Sequence, residues 1–439
     1  MEIEDLRITW KPPAELVPYS RNARVHSRKQ VSQIADSIKR FGFTNPILID
    51  QSGTLIAGHG RLAAARILGM LKVPTIELSH LSPAERRAYI LADNKLAENA
   101  GWDSELLALE LGELVELDFD LELTGFSAGE IDIVLDTSAQ CSPHAAVDEA
   151  DIIPEPSVRP VSKPNDLWAL GRHRLLCGDA LEPATFDLLM QGELGGVAFT
   201  DPPYNVPIDG HVCGLGKVRH REFPMASGEM SRDEFAAFLC SSLSNLSAHL
   251  RKGAIAFVCM DWRHIGEILE AGTAAFDEFK NLCVWNKSNG GMGTFYRSKH
   301  ELVFVFKKGS AAHINNFGLG ETGRYRTNVW DYPGNSSMGA ARDGELAMHP
   351  TVKPVALIAD ALRDCSRRGD TVVDPFGGSG STLIAAEMTG RSARMIELDP
   401  TYCDTIIRRF TRLTGRQAIN ERTGQPFDEA EAILMEGTE

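Results

Sequence analysis

The run Val372-Val373-Asp374-Pro375-Phe376-Gly377-Gly378-Ser379-Gly380-Ser381-Thr382 constrains this chain more than any other. It reads as an apolar strand, a glycine-rich turn and the start of a helix over Leu383–Met388. A second strand, Ala393–Ile396, follows and ends in Glu397, 17 residues beyond Gly380. Such a β-turn-α-β unit brings a ligand against bare backbone at the glycines, while an acid at the next strand end can grip ribose hydroxyls. A nucleoside cofactor is implied. The dinucleotide glycine fingerprint is not matched and no GKS or GKT triplet occurs, so neither NAD nor a P-loop nucleotide is favoured. Taken alone, the turn is also compatible with a purely structural role. Strand-like runs at Val197–Thr200, Ala254–Cys259, Leu302–Phe306 and Thr371–Val373 alternate with helical patterns. That alternation predicts an α/β domain, a largely parallel sheet with helices on both faces.

Asp201-Pro202-Pro203-Tyr204 follows the apolar run Val197-Ala198-Phe199, at the carboxyl end of a predicted strand, where such sheets hold ligands. An exocyclic amine on an aromatic base is a poor nucleophile because its lone pair is delocalised into the ring. A carboxylate at Asp201 and the carbonyl of Pro202 can each accept one amino hydrogen and favour the pyramidal nitrogen that frees the lone pair. The prolines fix φ and stiffen the loop. Tyr204 offers a ring face on which an extruded base can stack. By itself the tetrapeptide is also compatible with a plain rigid turn.

The stretch Cys141–Pro164 carries five prolines and no helical or strand period, which reads as an extended linker. Expected boundaries are a first domain over 1–136, a linker over 137–163, a second domain over 164–426 and a tail over 427–439. The first domain is expected to be α+β. Val31, Ile34, Ala35 and Ile38 have helical spacing, Pro46–Asp50 and Thr54–Ala57 flank a hairpin turn at Gln51-Ser52-Gly53, and Gly58-His59-Gly60-Arg61 opens a helix over Leu62–Leu68. Two glycines and an arginine at a helix start form a phosphate cradle or, equally, a capped turn.

Net charge is −15, which argues mildly against nucleic-acid binding overall, yet basic residues cluster at Lys217–Arg221, Arg297–Lys308 and Arg324–Arg326. No apolar run reaches membrane-spanning length, and nothing suggests membrane attachment or export. The eight cysteines are scattered without a CxxC pair, so neither a zinc cage nor a disulfide framework is expected, and the cytoplasm is the expected compartment.

From about residue 166 to 415 the chain resembles the amino-methylating DNA methyltransferases of permuted motif order, the β-class. The motifs occur in that family's order: Leu176-Cys177-Gly178-Asp179, Asp201–Tyr204, Thr294–Glu301 leading into a strand, His349-Pro350-Thr351-Val352-Lys353-Pro354, and the glycine turn. The resemblance implies a Rossmann-like fold that uses S-adenosylmethionine and needs no metal. It implies a catalytic segment Asp201, Pro202, Pro203 and Tyr204, and cofactor contacts from Asp179, Thr351, Lys353, Asp374, Phe376, Gly378, Gly380 and Glu397. Asp179 would meet the cofactor adenine, while Thr351 and Lys353 would lie near its carboxylate. Double-stranded DNA is the implied partner, with base flipping before in-line transfer, and a homodimer is the implied assembly. Asp before Pro-Pro-Tyr goes with adenine N6, Ser with cytosine N4. Loops 205–230 and 309–348 lie where the family keeps DNA-contacting elements.

Residues from about Leu16 to Leu135 resemble the ParB N-terminal fold and its nuclease and sulfiredoxin-like relatives. The resemblance implies that Gly58, His59, Gly60 and Arg61 hold the phosphates of CTP or ATP. A departure at the second ParB box, Asp93-Asn94 followed by Leu96-Ala97 where Gln-Arg is usual, puts triphosphate hydrolysis in doubt.

Overall fold

The structure, a computed structural model, describes residues 6–117, 119–139, 150–154, 159–206, 226, 228–288, 290, 295–317, 325–334 and 352–436. The chain divides into two compact units, Met1–Ser138 and Ala139–Glu439.

In the first unit the described elements are β1 (Ile8–Lys11), α1 (Arg28–Phe41), β2 (Ile47–Ile49), β3 (Leu55–Ala57), α2 (His59–Ile67), β4 (Val73–Glu77), α3 (Pro83–Glu98), α4 (Ser104–Glu116) and α5 (Ala128–Ala139). Helix α1 starts where Ser27 accepts a bond from the Gln30 amide and stops at Gly42, whose φ of 83° no β-branched residue would adopt readily. Its apolar spacing buries Val31 and Ala35. The hairpin between β2 and β3 is tied by Asp50, which accepts from the amides of Ser52 and Thr54. The strands run in the order β1-β4-β2-β3. Ile47, Ile49, Leu55, Leu62 and Val73 form the core between this sheet and α2.

The second unit contains β5 (Leu167–Leu170), β6 (His173–Cys177), α6 (Pro183–Met190), β7 (Gly195–Thr200), α7 (Arg232–Ala248), β8 (Leu250–Met260), α8 (Ile265–Ala275), β9 (Glu278–Asn286), β10 (His300–Lys307), β11 (Val329–Asp331), α9 (Val355–Cys365), β12 (Thr371–Asp374), α10 (Ser381–Met388), β13 (Ser392–Glu397), α11 (Pro400–Thr414), β14 (Ile419–Asn420) and α12 (Phe427–Glu436). One sheet orders them β11-β9-β10-β8-β7-β12-β13-β6-β5-β14. The five strands β8-β7-β12-β13-β6 are mutually parallel, as the strand and helix alternation predicts. Beyond them β10 runs antiparallel to both β8 and β9, and β5 antiparallel to β6.

Alternation along the central strands sends Val197, Phe199, Ile255 and Phe257 to one face and Ala198, Ala256 and Val258 to the other. Helices α9, α10 and α11 cover the first face, and α6, α7 and α8 the second. Both faces are therefore dry, and ligand access is left to the strand ends.

Two stretches differ from the local reading of the sequence. Within the proline-rich segment, the amides of Val161 and Ser162 donate to the buried Asp404 at 2.7 and 3.0 Å, and the Arg409 guanidinium reaches the Ala150 carbonyl at 2.7 Å. These residues are fixed to the second unit by partners more than 240 positions away, which no local pattern reveals. At the other end, residues expected as a tail form α12, anchored by Phe427 edge-on to Trp168 at 5.4 Å. No described helix is long and apolar enough to cross a membrane.

Candidate active site

An open cleft of about 1130 Å³ lies at the carboxyl ends of β7, β12 and β13. It is lined by Asp179, Asp201–Tyr204, Lys353, Asp374–Ser379, Thr382 and Glu397. The sheet order explains the gathering. Strands β7, β12 and β13 are adjacent and parallel, so the segments that follow them emerge side by side although they are up to about 200 residues apart in sequence.

Asp201 directly follows β7, and both of its oxygens are engaged. Oδ1 accepts from the Tyr204 hydroxyl at 2.5 Å and Oδ2 from Lys353 Nζ at 2.5 Å. Burial pushes the Asp201 carboxyl up, Lys353 draws it down, and the nearby Glu301 pushes it up again, with a net rise above the usual carboxylate range. The Tyr204 phenol is raised well above its ordinary value by burial and by Asp201. Pro202 is buried and Pro203 half-buried beside it. Asn205, with φ of 51°, donates to the Met230 carbonyl and accepts from the amides of Gly228 and Met230, which ties the end of the tetrapeptide segment to residues 228–230.

On the next strand Asp374 is 3% exposed and accepts from the Thr200 hydroxyl at 2.9 Å and the Phe376 amide at 3.1 Å. Because Thr200 precedes Asp201, this bond fastens the two strand ends that carry the Asp201–Tyr204 tetrapeptide and the glycine turn. Burial pushes the Asp374 carboxyl up to about 7. Glu397 takes the Gly378 amide at 2.7 Å and the Asp399 amide at 2.8 Å, and burial raises it, too, to about 7. Asp179 lies across the cleft with Oδ1 capping the Leu181 amide. Phe376 forms part of the wall and tilts against Phe238 of α7 at 5.8 Å.

The turn is pressed against its own scaffold. A Cβ at Gly377 would meet Met395 Cε at 3.1 Å and the Ile396 carbonyl at 3.2 Å, so a side chain there would press on its neighbours by a few tenths of an ångström. The lining therefore combines bare turn backbone, the carboxylates of Asp179, Asp201, Asp374 and Glu397, and the aromatic rings of Phe199, Tyr204 and Phe376. That donor and acceptor set fits a nucleoside with free hydroxyls, and it fits S-adenosylmethionine.

Three expected site residues are held by contacts within the protein. Gly380 does not line the cleft. Its φ is +85° at the cap of α10, and an added Cβ would meet Ile406 of α11 at 3.1 Å, so the glycine is required by turn geometry and packing. Lys353, 4% exposed, lines the cleft and pairs its ammonium with two carboxylates of the protein itself, Asp201 and, at 3.0 Å, Glu301. In the first unit Arg61 gives its Nη1 to the carbonyls of Asn45 and Pro46 at 2.6 and 2.9 Å and so braces the entry to β2 while lining the cleft beside Gly58. Thr351 lies outside the described residues, as do most of the 205–230 loop and much of 309–348.

The cradle residues converge. Gly58, His59, Gly60 and Arg61 share a cleft of about 470 Å³ with Asn22, Arg24, His26, Asp93 and Asn94, which joins the two ParB boxes. His59 Nε2 accepts from the Tyr19 amide, and burial, then the charge of His26, lowers the imidazole below its ordinary value.

Sequence reading missed Thr200 and Arg409. Arg409 is 2% exposed and donates to the Ser379 carbonyl at 2.8 Å and to Ser381 Oγ at 3.2 Å, bracing the glycine turn from behind. Its signal was available: an arginine between Ile406, Ile407 and Phe410 on the apolar stripe of α11 must be paired inside.

Comparison with known proteins matches three family profiles in turn. They are the ParB N-terminal domain over residues 7–95, the ParB-methyltransferase HTH domain over 105–164 and the DNA methylase family over 197–408. The second was not anticipated from the sequence and takes in α4 and α5. The ParB-like nuclease domain-containing protein YnaK of Escherichia coli (strain K12) is 52% identical over 84 residues, 19% of this chain and 97% of YnaK. The type II methyltransferase M.HpaI of Haemophilus parainfluenzae is 24% identical over 285 residues, 60% of this chain and 82% of M.HpaI. Among solved structures, the M1.HpyAVI complex with SAM has a TM-score of 0.40 at 20% identity, covering 54% of this chain and 97% of that one. The chain thus joins ParB-like domains to an S-adenosylmethionine-dependent DNA methylase domain of the family that acts on adenine N6 or cytosine N4, matched over residues 197–408.

Proposed function

We propose that this DNA methyltransferase acts on the N6 amino group of adenine, with Asp201 and the Pro202 carbonyl as the two acceptors of the amine hydrogens. The observation that carries this reading is the half-buried Asp201 carboxylate, held on both oxygens at the edge of the cleft. A carboxylate oxygen has two lone-pair sites, so the bonds from Tyr204 and Lys353 leave acceptor capacity for an amine. Preorganisation of this kind avoids reorganisation during the reaction.

S-adenosylmethionine would supply an electrophilic methyl group on its sulfonium, the carbon–sulfur bond breaking to leave neutral S-adenosylhomocysteine. Glu397, Asp179 and the turn backbone at Gly378 are the residues that would hold it. When the amine nitrogen forms its bond to carbon it must release one proton. Asp201, made more basic by burial, takes that proton and passes it to water as the product leaves. Tyr204, fixed through its hydroxyl, offers a ring face to the flipped base.

The test is nucleoside analysis by mass spectrometry of DNA from cells expressing the protein. N6-methyladenine that disappears in the Asp201→Ala variant is the expected result. N4-methylcytosine would assign the same chemistry to the other base and overturn the adenine reading, and the absence of both would overturn the assignment of the site.

A further inference from the structure

Behind Asp201 the structure holds a row of alternating charges. Lys353 Nζ sits 2.5 Å from Asp201 Oδ2 and 3.0 Å from Glu301 Oε2, and Lys287 Nζ sits 2.5 Å from Glu301 Oε1. The row crosses the sheet edge from β7 to β10 and the end of β9. Glu301 is the second residue of β10 and is paired in register with Trp285 of β9, and Lys287 is joined to Lys299 by a backbone bond of 2.9 Å. The Trp285 ring carries both cations, Lys287 at 4.5 Å and Lys353 at 5.9 Å. Four groups of alternating sign, with the side chains of Lys353 and Glu301 only 4% and 13% exposed, cost too much desolvation to be incidental unless each is paired.

We propose that Glu301 and Lys287 are positioning residues that set the basicity of Asp201 through Lys353. Glu301 divides the Lys353 ammonium between two carboxylates and so keeps it from neutralising Asp201 fully. Lys287 in turn divides Glu301. Each charge removed from the row therefore acts on Asp201 with a sign fixed by its place in it. Although burial opposes ionisation, Lys353 and Lys287 hold the Glu301 carboxyl down at about 2, so Glu301 remains a fixed negative charge at any pH where the enzyme works. The other titratable groups facing Asp201 are Tyr204 on its own segment, the Cys259 thiol at the end of β8 and Asp374 at the end of β12. Cys259 and Tyr204 are pushed well above their ordinary values by burial, so neither changes charge near neutrality. Asp374 does titrate near neutrality and belongs to the same field.

The inference rests on the proposed role of Asp201 as the acceptor of the amine proton, but its test does not need turnover. Full-length protein labelled with carbon-13 at aspartate Cγ is titrated without cofactor, and the Asp201 resonance is identified by its loss in D201N. Glu301→Gln keeps the shape and removes the negative charge, and should move the Asp201 midpoint down by about one pH unit. Lys287→Met leaves Glu301 uncompensated and should move it up, by a smaller amount. The acid limb of the kcat profile for DNA methylation should follow in the same directions. A merely structural role would lower stability in both variants and shift neither midpoint. Unmoved midpoints, or movement in the same direction for both, would overturn the proposal. Lys287 is partly exposed, so that variant keeps the test decisive if E301Q does not fold. A failure of the methyltransferase reading would appear separately, as absence of methyl transfer by the wild type.

Discussion

The two units each contain a strand that runs into glycines and then into a helix, and the two turns are built alike but furnished differently. Gly58 caps α2 with φ of 97° and Gly380 caps α10 with φ of 85°. Beside Gly58 the cations and imidazoles Arg24, His26, His59 and Arg61 outnumber the acid Asp93. Around the second turn they are acids, with Asp179, Asp374 and Glu397 on the cleft wall. Local geometry makes the helix start available to a ligand in both units. The side chains brought in from distant segments set the charge beside each turn.

The strongest way to sharpen this contrast is to remove the group that has no counterpart in the first unit. Asp201→Ala should lower the methylation rate by at least 10²–10³-fold, roughly the effect of losing one preorganised polar contact at a reacting centre. Binding of S-adenosylhomocysteine by calorimetry should survive, because the carboxylate is expected to act on the base. Near-normal turnover, or lost binding by a folded variant, would break the assignment.

Next in size is Gly380→Val. A branched residue at φ of +85° whose Cβ meets Ile406 should cost about 2–5 kcal/mol of stability, from backbone strain plus overpacking. Denaturant titration measures it. If stability were unchanged while cofactor affinity disappeared, Gly380 would belong to the cleft after all.

A smaller effect should appear with pH. Asp374 and Glu397 both stand near 7, raised by burial. A ligand whose hydroxyl donates to Glu397 favours the ionised carboxylate, so affinity for S-adenosylhomocysteine should fall as pH drops through 7. With one such group the loss from pH 8 to pH 6 is at most about tenfold. Affinity that rises on acidification would mean that the ligand accepts a proton bond there instead.

The smallest expected effect lies in the first unit. Arg61→Ala removes two bonds to the carbonyls of Asn45 and Pro46 and should cost that unit about 1–3 kcal/mol. Titration of the same variant with CTP and ATP asks whether the cleft holds a nucleotide through its remaining cations. Unchanged stability would show that the observed bonds are not the reason for the arginine.

The parallel centre of the large sheet was legible because periodicity and punctuation are local signals, and Val197–Thr200, Thr371–Val373 and Ala393–Ile396 announce themselves. The tetrapeptide and the glycine turn were legible for the same reason. Their relation was not. The Thr200 to Asp374 bond, the Arg409 brace and the Lys287-Glu301-Lys353 row each join residues that are far apart in the chain or that look like ordinary surface charges. Strand direction was also hidden, since a residue pattern with a period of two reads the same in β8 and in the antiparallel β10. Lys353 shows the limit of reasoning from a motif alone: the motif did not reveal that its cation, on the cleft wall, also spans two carboxylates of the protein itself.

The central claim is that the second unit transfers methyl groups to DNA through the site at Asp201. The most direct measurement is tritium transfer from methyl-labelled S-adenosylmethionine to duplex DNA, RNA and protein offered in parallel to the purified full-length chain. The account predicts label in DNA alone, lost in the Asp201→Ala variant. Label in RNA or protein, or label in DNA that persists without the Asp201 carboxylate, would contradict it.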